Sequence, residues 1–313
     1  MRRYVLRRLW QTVVVLLGVS VLVFAIVHLV PGDPIQVALG TRFDPATYEA
    51  LRERAGFNQP LPVQYVQWLT GALTGDLGVS FRSGQPVMTT ILGRLPATLT
   101  LAFAALLVAL VIALPVGIIS AVRRGSVVDY TSTVFSQLGV SIPDFWMGIL
   151  FILLFSLTLG WLPPSGYTPL TEDPLGWLSR LAMPAVTVGV VSGSVLTRFV
   201  RSSMLEALGQ DYTRTARSKG LAQRVVVNRH VLKNALIPFV TVAGLQLAVL
   251  LGGVVIVEIV FAWPGLGQLA LTAVERRDYP VLQGTVLLLA LTTVLINLAV
   301  DLAYAFLDPR IRY

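Results

Sequence analysis

The sequence predicts an all-α polytopic membrane protein: six transmembrane helices, with a helical loop after the first. Three observations carry this. Of 313 residues, 55% are hydrophobic and only 13% charged, and a water-soluble fold of that length faces water with too much of its surface to hold such a composition. The chain contains several charge-free runs near the roughly 20 residues a helix needs to cross a bilayer. Its lysines and arginines fall in alternate connecting segments rather than evenly along the chain.

Taken in order, the spans fall at about 9–30, 96–121, 131–159, 181–200, 236–262 and 281–306. The first follows Arg2, Arg3, Arg7 and Arg8, as a secretory signal would. A cleaved signal has an apolar core of about 7–15 residues, whereas Leu9 to Val30 is longer and runs into Pro31-Gly32-Asp33-Pro34 with no small-residue cleavage site. It is read as an anchor. The third span is one continuous helix only if Pro143-Asp144 sits inside it. The organisation expected is a tail and first helix over 1–30 and an extracytoplasmic loop over 31–95. A core over 96–306 follows, containing an inner loop at 201–235, and then a tail at 307–313.

Charge sets the orientation. With the N-terminus inside, the inner segments hold sixteen basic and four acidic residues, and the outer segments eight basic and nine acidic. This is the positive-inside bias. The net charge of +8 therefore reports topology, and nucleic-acid binding is set aside. Both termini are expected in the cytoplasm.

Catalysis by this chain is excluded on residue inventory. It has no cysteine, and its two histidines, His28 and His230, belong to opposite faces of the membrane and cannot share a metal. A phosphate-binding loop requires G-x-x-x-x-G-K-[ST]. The only lysines, Lys219 after Ser218 and Lys233 after Leu232, complete no such motif. No cofactor or metal is expected on this chain.

The outer segment 31–95 is too long for a plain connector. Asp44-Pro45 reads as a helix N-cap followed by a first-turn proline, with Gly56 as the stop. A second short helix is predicted near 62–73, where Val63, Val66, Leu69 and Leu73 recur at helical spacing. Gly75-Asp76-Leu77-Gly78-Val79-Ser80 reads as a turn. The segment fits a folded cap and a contact surface for an external protein equally well.

The inner segment 201–235 is the most informative. Asp211 can cap a short helix that places Tyr212, Ala216 and Lys219 on one side. Gly220 can end it in a left-handed conformation, and Leu221 to Asn234 restarts a helix before Pro238. A helix–glycine–helix with a basic surround suits insertion into a partner's groove; taken alone, it also fits an electrostatic membrane anchor. Within the spans, Asp144, Glu258 and Asp301 are ionisable groups of the kind that line a pathway or meet a partner. Asp144 also fits a cap at a proline kink, and Asp301 a structural role. Gly252-Gly253 permits close approach of another helix.

At this point the inner loop resembles the cytoplasmic signature E-A-A-x3-G of ABC importer permeases, aligned on Gly220. The glutamate and first alanine positions are Arg214 and Thr215 here, leaving Ala216 and Gly220. The following Arg229-His230-Val231-Leu232-Lys233-Asn234-Ala235-Leu236-Ile237-Pro238 is similar to the dipeptide, oligopeptide and nickel branch. So are Pro31-Gly32-Asp33-Pro34, Gly75 to Ser80, Ser141-Ile142-Pro143-Asp144-Phe145-Trp146, and Leu162-Pro163-Pro164-Ser165-Gly166-Tyr167. Further along come Val257-Glu258-Ile259-Val260-Phe261, Trp263-Pro264-Gly265-Leu266-Gly267, Arg277-Asp278-Tyr279-Pro280 and Asp308-Pro309-Arg310-Ile311-Arg312. The long first outer loop resembles the B-type permeases.

That resemblance implies the type I ABC importer permease fold and a set of partners. These are a second, C-type permease subunit, two cytoplasmic ABC ATPases that bind ATP and magnesium, and an extracytoplasmic solute-binding protein, all around a chain embedded in membrane lipid. It implies peptides as cargo, although relatives also handle glutathione, nickel chelates and short sugars. ATPase coupling then falls on Asp211, Tyr212, Arg214, Ala216, Arg217, Lys219, Gly220 and Leu221. Asp144, Phe145, Trp146, Gly252, Gly253 and Glu258 are the pathway or gate candidates. The competing expectation is a stand-alone secondary transporter or channel that uses Asp144, Glu258 or Asp301 as ion sites. A structural scaffold without transport is a third.

Overall fold

The computed structural model describes residues 2–29, 33, 35–36, 44–54 and 56–307. Pro31, Gly32 and Pro34 of the first outer motif, and the Asp308 to Arg312 motif of the tail, lie outside the described residues. Among the described residues the chain is helical, with one isolated bridge between Val79 and Pro86 and no strand.

The helices run α1 (Arg2–Leu29), α2 (Pro45–Arg54), α3 (Leu61–Thr74), α4 (Val87–Val122), α5 (Val127–Ser141) and α6 (Asp144–Phe151). The last of these continues as a π-helix over Ile152–Thr158. Then come α7 (Pro174–Leu208), α8 (Asp211–Ser218), α9 (Gln223–Gly253), α10 (Val255–Val260), α11 (Leu266–Glu275) and α12 (Tyr279–Leu307). Among the described residues, five stretches are long and apolar enough to cross a membrane unaided: Val5–Leu29, Val87–Val122, Pro174–Leu208, Gln223–Gly253 and Tyr279–Leu302.

The third expected span is not one continuous helix. α5 and α6 meet at a bend of 101°. The cause is local: Pro143 has no N–H to continue the ladder, and it drives the residue before it out of the helical region. Ile142 accordingly sits at φ −90°, ψ 123°. Pro143 holds the N-cap of α6 with no side-chain cap bond, and Asp144 is the first residue of the helix. The fifth span also differs from expectation. α9 begins at Gln223, so the expected helix of residues 221–234 and the fifth span are one element, with a π-turn over Val226–Val231. It ends at Gly253, and α10 restarts after Val254. Two adjacent glycines are poor helix formers and mark that interruption.

Elsewhere the helices outrun the apolar windows. α7 starts at Pro174, where the Asp173 carboxylate accepts the Gly176 N–H at 3.0 Å, a standard N-cap with proline in the first turn. In the outer segment the Asp44 carboxylate accepts the Thr47 N–H at 2.9 Å. α3 ends as glycine C-caps do, with Gly75 at φ +88° and its N–H on the Ala72 carbonyl.

The backbone divides into two compact units. In the unit containing Thr100–Trp263, α7 is the most buried helix, and small residues let its neighbours approach closely. A Cβ on Gly189 would lie 2.6 Å from Val108, one on Gly117 2.7 Å from Val200, and one on Gly139 2.0 Å from the Ser194 hydroxyl. An apolar cluster of Ala109, Ala113, Leu196, Val200, Met204, Ala216, Val226, Val231 and Phe239 ties α4, α7, α8 and α9 together. In the unit containing Leu6–Leu99 and Pro264–Leu295, Leu77, Val87, Ile91, Leu266, Ala273 and Val281 form the core.

Candidate functional site

The inner elbow is built on the end of α7. Gly209 closes that helix, and α8 starts at Asp211, which does not cap it as expected: Gln210 holds the N-cap without a side-chain bond, and Asp211 in the first turn is placed favourably against the helix dipole. Within α8, Thr213 is fully buried and Ala216 is 5% exposed. The Thr213 hydroxyl donates to the Ala207 carbonyl at 2.9 Å, and Ala216 belongs to the same apolar cluster as α4, α7 and α9. Gly220 follows at φ +76°, with its N–H on the Arg217 carbonyl at 2.9 Å. The expected left-handed stop is therefore present.

The residues placed on one side of the elbow differ in depth: Ala216 is buried, whereas Tyr212 is 40% exposed and Lys219 exposed. The buried side is Thr213 and Ala216, and the outward side carries Asp211, Tyr212, Arg214, Arg217, Lys219, Gly220 and Leu221. Arg214 stands 3.9 Å from Asp211, both strongly exposed, and a pair so exposed contributes little. Arg217 donates to the Gln223 side chain at 3.2 Å. The result is a cationic outer face with apolar Tyr212, Leu221 and Val225 half-exposed on it, rigidly backed from inside.

The pathway candidates separate into three places. Phe145 and Trp146 stand 42% and 47% exposed just beyond the Pro143 bend, with Asp144 partly exposed beside them. Glu258 is 1% exposed on α10, which packs against α6 where Gly148 backs onto Phe261; a Cβ there would sit 3.0 Å from that ring. Gly252 and Gly253 have nothing within 4 Å of an added Cβ. Among the described residues no other helix comes that close to them.

Several motif residues form structural knots. Tyr167 meets Trp263 edge-on at 4.8 Å, and the Gly166 N–H donates to the Phe261 carbonyl at 2.9 Å. The buried Asp278 carboxylate accepts the Ser80 hydroxyl, and the Phe81 N–H at 3.2 Å. In the outer segment, burial pushes the Asp33 carboxyl up, but hydrogen bonds from Tyr48, Gln36 and Ile35 and the charge of Arg52 outweigh it and hold the group below the usual carboxylate range. A cavity of about 410 Å³ lies among Phe24, His28, Phe57, Gln64 and Trp68.

The polar joint of Asp129 and Arg201 carried no local signal in the sequence. Asp129 sits in the first turn of α5 and is 5% exposed. Arg201 lies 72 residues on, and donates through Nε at 2.7 Å and Nη2 at 2.9 Å. An isolated acid in an otherwise basic inner segment is the only hint, and it names no partner.

The comparisons agree with this architecture. Residues 113–313 match the model of the binding-protein-dependent transport system inner membrane component family, and residues 1–102 match the N-terminal model for membrane components of such systems. A peptide transport system permease protein of Brucella abortus (strain 2308) is 43% identical over the whole of both chains. The dipeptide transport system permease protein DppB of Escherichia coli (strain K12) is 40% identical, covering 100% of this chain and 99% of that one. An inward-facing structure of the MetNI methionine ABC transporter superposes with a TM-score of 0.60 at 22% identity, covering 72% of this chain and 99% of that one, and shares the fold. The secondary-carrier alternative gives way to these matches. The chain belongs to the family of binding-protein-dependent transport system inner membrane components: it is a multi-helix transport permease of the ABC importer type.

Proposed function

We propose that this permease forms half of the translocation pathway of an ATP-driven peptide importer, and that its inner elbow is where separate ATPase subunits act on it. The observation that carries the reading is the elbow's construction. A short exposed cationic helix, ended by Gly220 in the left-handed region, is backed by Thr213 and Ala216 against the same apolar cluster that holds α4, α7 and α9. Force applied to the outer face therefore reaches three membrane helices. A lipid-anchoring loop has no need of that rigidity.

ATP and magnesium belong to the ATPases in this reading. A second permease of the C type completes the pathway, and a solute-binding protein delivers cargo from outside to the face that carries α2 and α3. Peptides are supported as cargo by relatives whose names give peptide or dipeptide transport. Asp144, at the N-terminus of α6 beside exposed Phe145 and Trp146, is the carboxylate offered to a peptide amine. The basic bias of the inner segments puts the elbow and the N-terminus in the cytoplasm.

The test is reconstitution in vesicles with the subunits that co-purify from native membranes. Uptake of a labelled dipeptide should require ATP and the binding protein, and should survive collapse of the proton gradient. Uptake by the purified chain alone would overturn the reading.

A further inference from the structure

We infer that Asp129 and Arg201 are positioning residues of the transport cycle, the joint through which the bent pair α5–α6 follows the elbow. The inference rests on the elbow reading above and adds a named joint to it.

The apolar cluster behind the elbow takes residues from α4, α7, α8 and α9, and α5 contributes none to it. What holds α5 to that body at its inner end is polar. The Asp129 carboxylate takes Arg201 Nε on one oxygen at 2.7 Å and Nη2 on the other at 2.9 Å. This two-point fork fixes angle as well as distance. The same carboxylate accepts the Ser120 hydroxyl near the end of α4, and the Gly125 N–H at 3.0 Å in the turn before α5. One side chain thus joins α4, α5 and α7.

Position gives the joint its role. Arg201 lies seven residues before the last residue of α7, about 10 Å along the helix, and the elbow hangs from that end through Thr213 and Ala207. At its other end α5 meets α7 by shape alone, with Gly139 seated on Ser194. A shape contact between small residues can slide. The ion pair cannot slide without leaving a charge buried and unpaired, which is strongly unfavourable. Motion of the elbow is therefore passed to α5, and past the Pro143 bend to the segment bearing Asp144, Phe145 and Trp146.

The experiment uses the full importer, with spin labels at Thr131 on α5 and Ser218 on α8, both exposed; the chain has no cysteine to interfere. Pulsed electron paramagnetic resonance reads the distance with and without trapped nucleotide. The wild type should give one narrow distance in both states. Asp129→Asn should add a second population, and should lower peptide imported per ATP at least tenfold while binding-protein-stimulated hydrolysis stays within twofold. Asp129→Arg with Arg201→Asp should restore both readouts. Asp129→Leu with Arg201→Met buries no lone charge and replaces Asp129→Asn if that variant does not assemble; it should broaden the distance in the same way. Unchanged distances in the variants, or hydrolysis and uptake lost in step, would overturn the joint. Failure of the elbow reading looks different: hydrolysis and uptake in the wild type would not depend on each other at all.

Discussion

The Thr213 hydroxyl lies 2.9 Å from the Ala207 carbonyl and donates to it where neither residue is open to solvent. This bond spans the reversal between α7 and α8, so the elbow is tied to the helix that carries it before any partner arrives. Thr213→Val keeps the shape and leaves the carbonyl only the Gln210 N–H at 3.4 Å, at a cost of about 0.5–1.5 kcal/mol. The expected result is a lower melting temperature of the purified permease and fewer peptides imported per ATP. An unchanged melting curve would count against the tie.

Gly220 holds φ +76° with nothing within 4 Å of an added Cβ. Space is available, so conformation alone opposes a side chain, by about 1–2 kcal/mol. Gly220→Val should redirect the chain after α8 and uncouple the importer, leaving hydrolysis while uptake falls tenfold or more. Wild-type uptake by this variant would remove the turn from the mechanism.

Arg214 and Arg217 form the cationic outward face of α8. Arg214→Glu with Arg217→Glu reverses that face and should weaken ATPase docking, because attraction between exposed charges steers and holds charged partners. The measurement is co-purification of the ATPases at physiological salt. Stoichiometric recovery with the double variant would confine these arginines to topology.

The glycines divide by environment. Gly189→Ala would bring a Cβ to 2.6 Å from Val108, and such overpacking costs about 1–3 kcal/mol. Gly252→Ala meets nothing within 4 Å and gains about 0.5–1 kcal/mol of helix propensity. Thermal melts of the isolated permease in detergent should move in opposite directions. The same direction for both would contradict the packing described.

Whether the bent pair crosses the membrane is decided by two single cysteines, at Ser83 and Ser218, both exposed. Between them lie α4, the α5–α6 pair and α7. Three crossings put the two sites on opposite faces, and an impermeant maleimide added from outside should label Ser83→Cys alone. Labelling of both from one side would make α5–α6 a re-entrant loop.

The spans were legible because lipid tolerates few charges, so charge-free runs mark them; their ends were not, because α4 and α7 continue beyond the apolar window under polar side chains. The Pro143 break could not be decided from composition, since proline is tolerated in membrane helices whose neighbours satisfy the freed groups. In the elbow, Asp211 and Gly220 announced start and stop, both local signals. The burial of Thr213 was not legible because the residue is polar, and only its reach to Ala207 makes it an inward residue. Asp129 and Arg201 are 72 residues apart, a separation at which periodicity carries nothing.

The Pro143 bend also bears on how the protein is made. α5 has 15 residues, a rise of about 22 Å, against roughly 30 Å of hydrocarbon. The Asp144–Thr158 half is no longer than that. Neither half is a self-sufficient insertion signal as it leaves the ribosome. The seat for Gly139 and the guanidinium for Asp129 both lie on α7, which is synthesised afterwards. Packing of this pair at both ends is therefore completed only once α7 has been made.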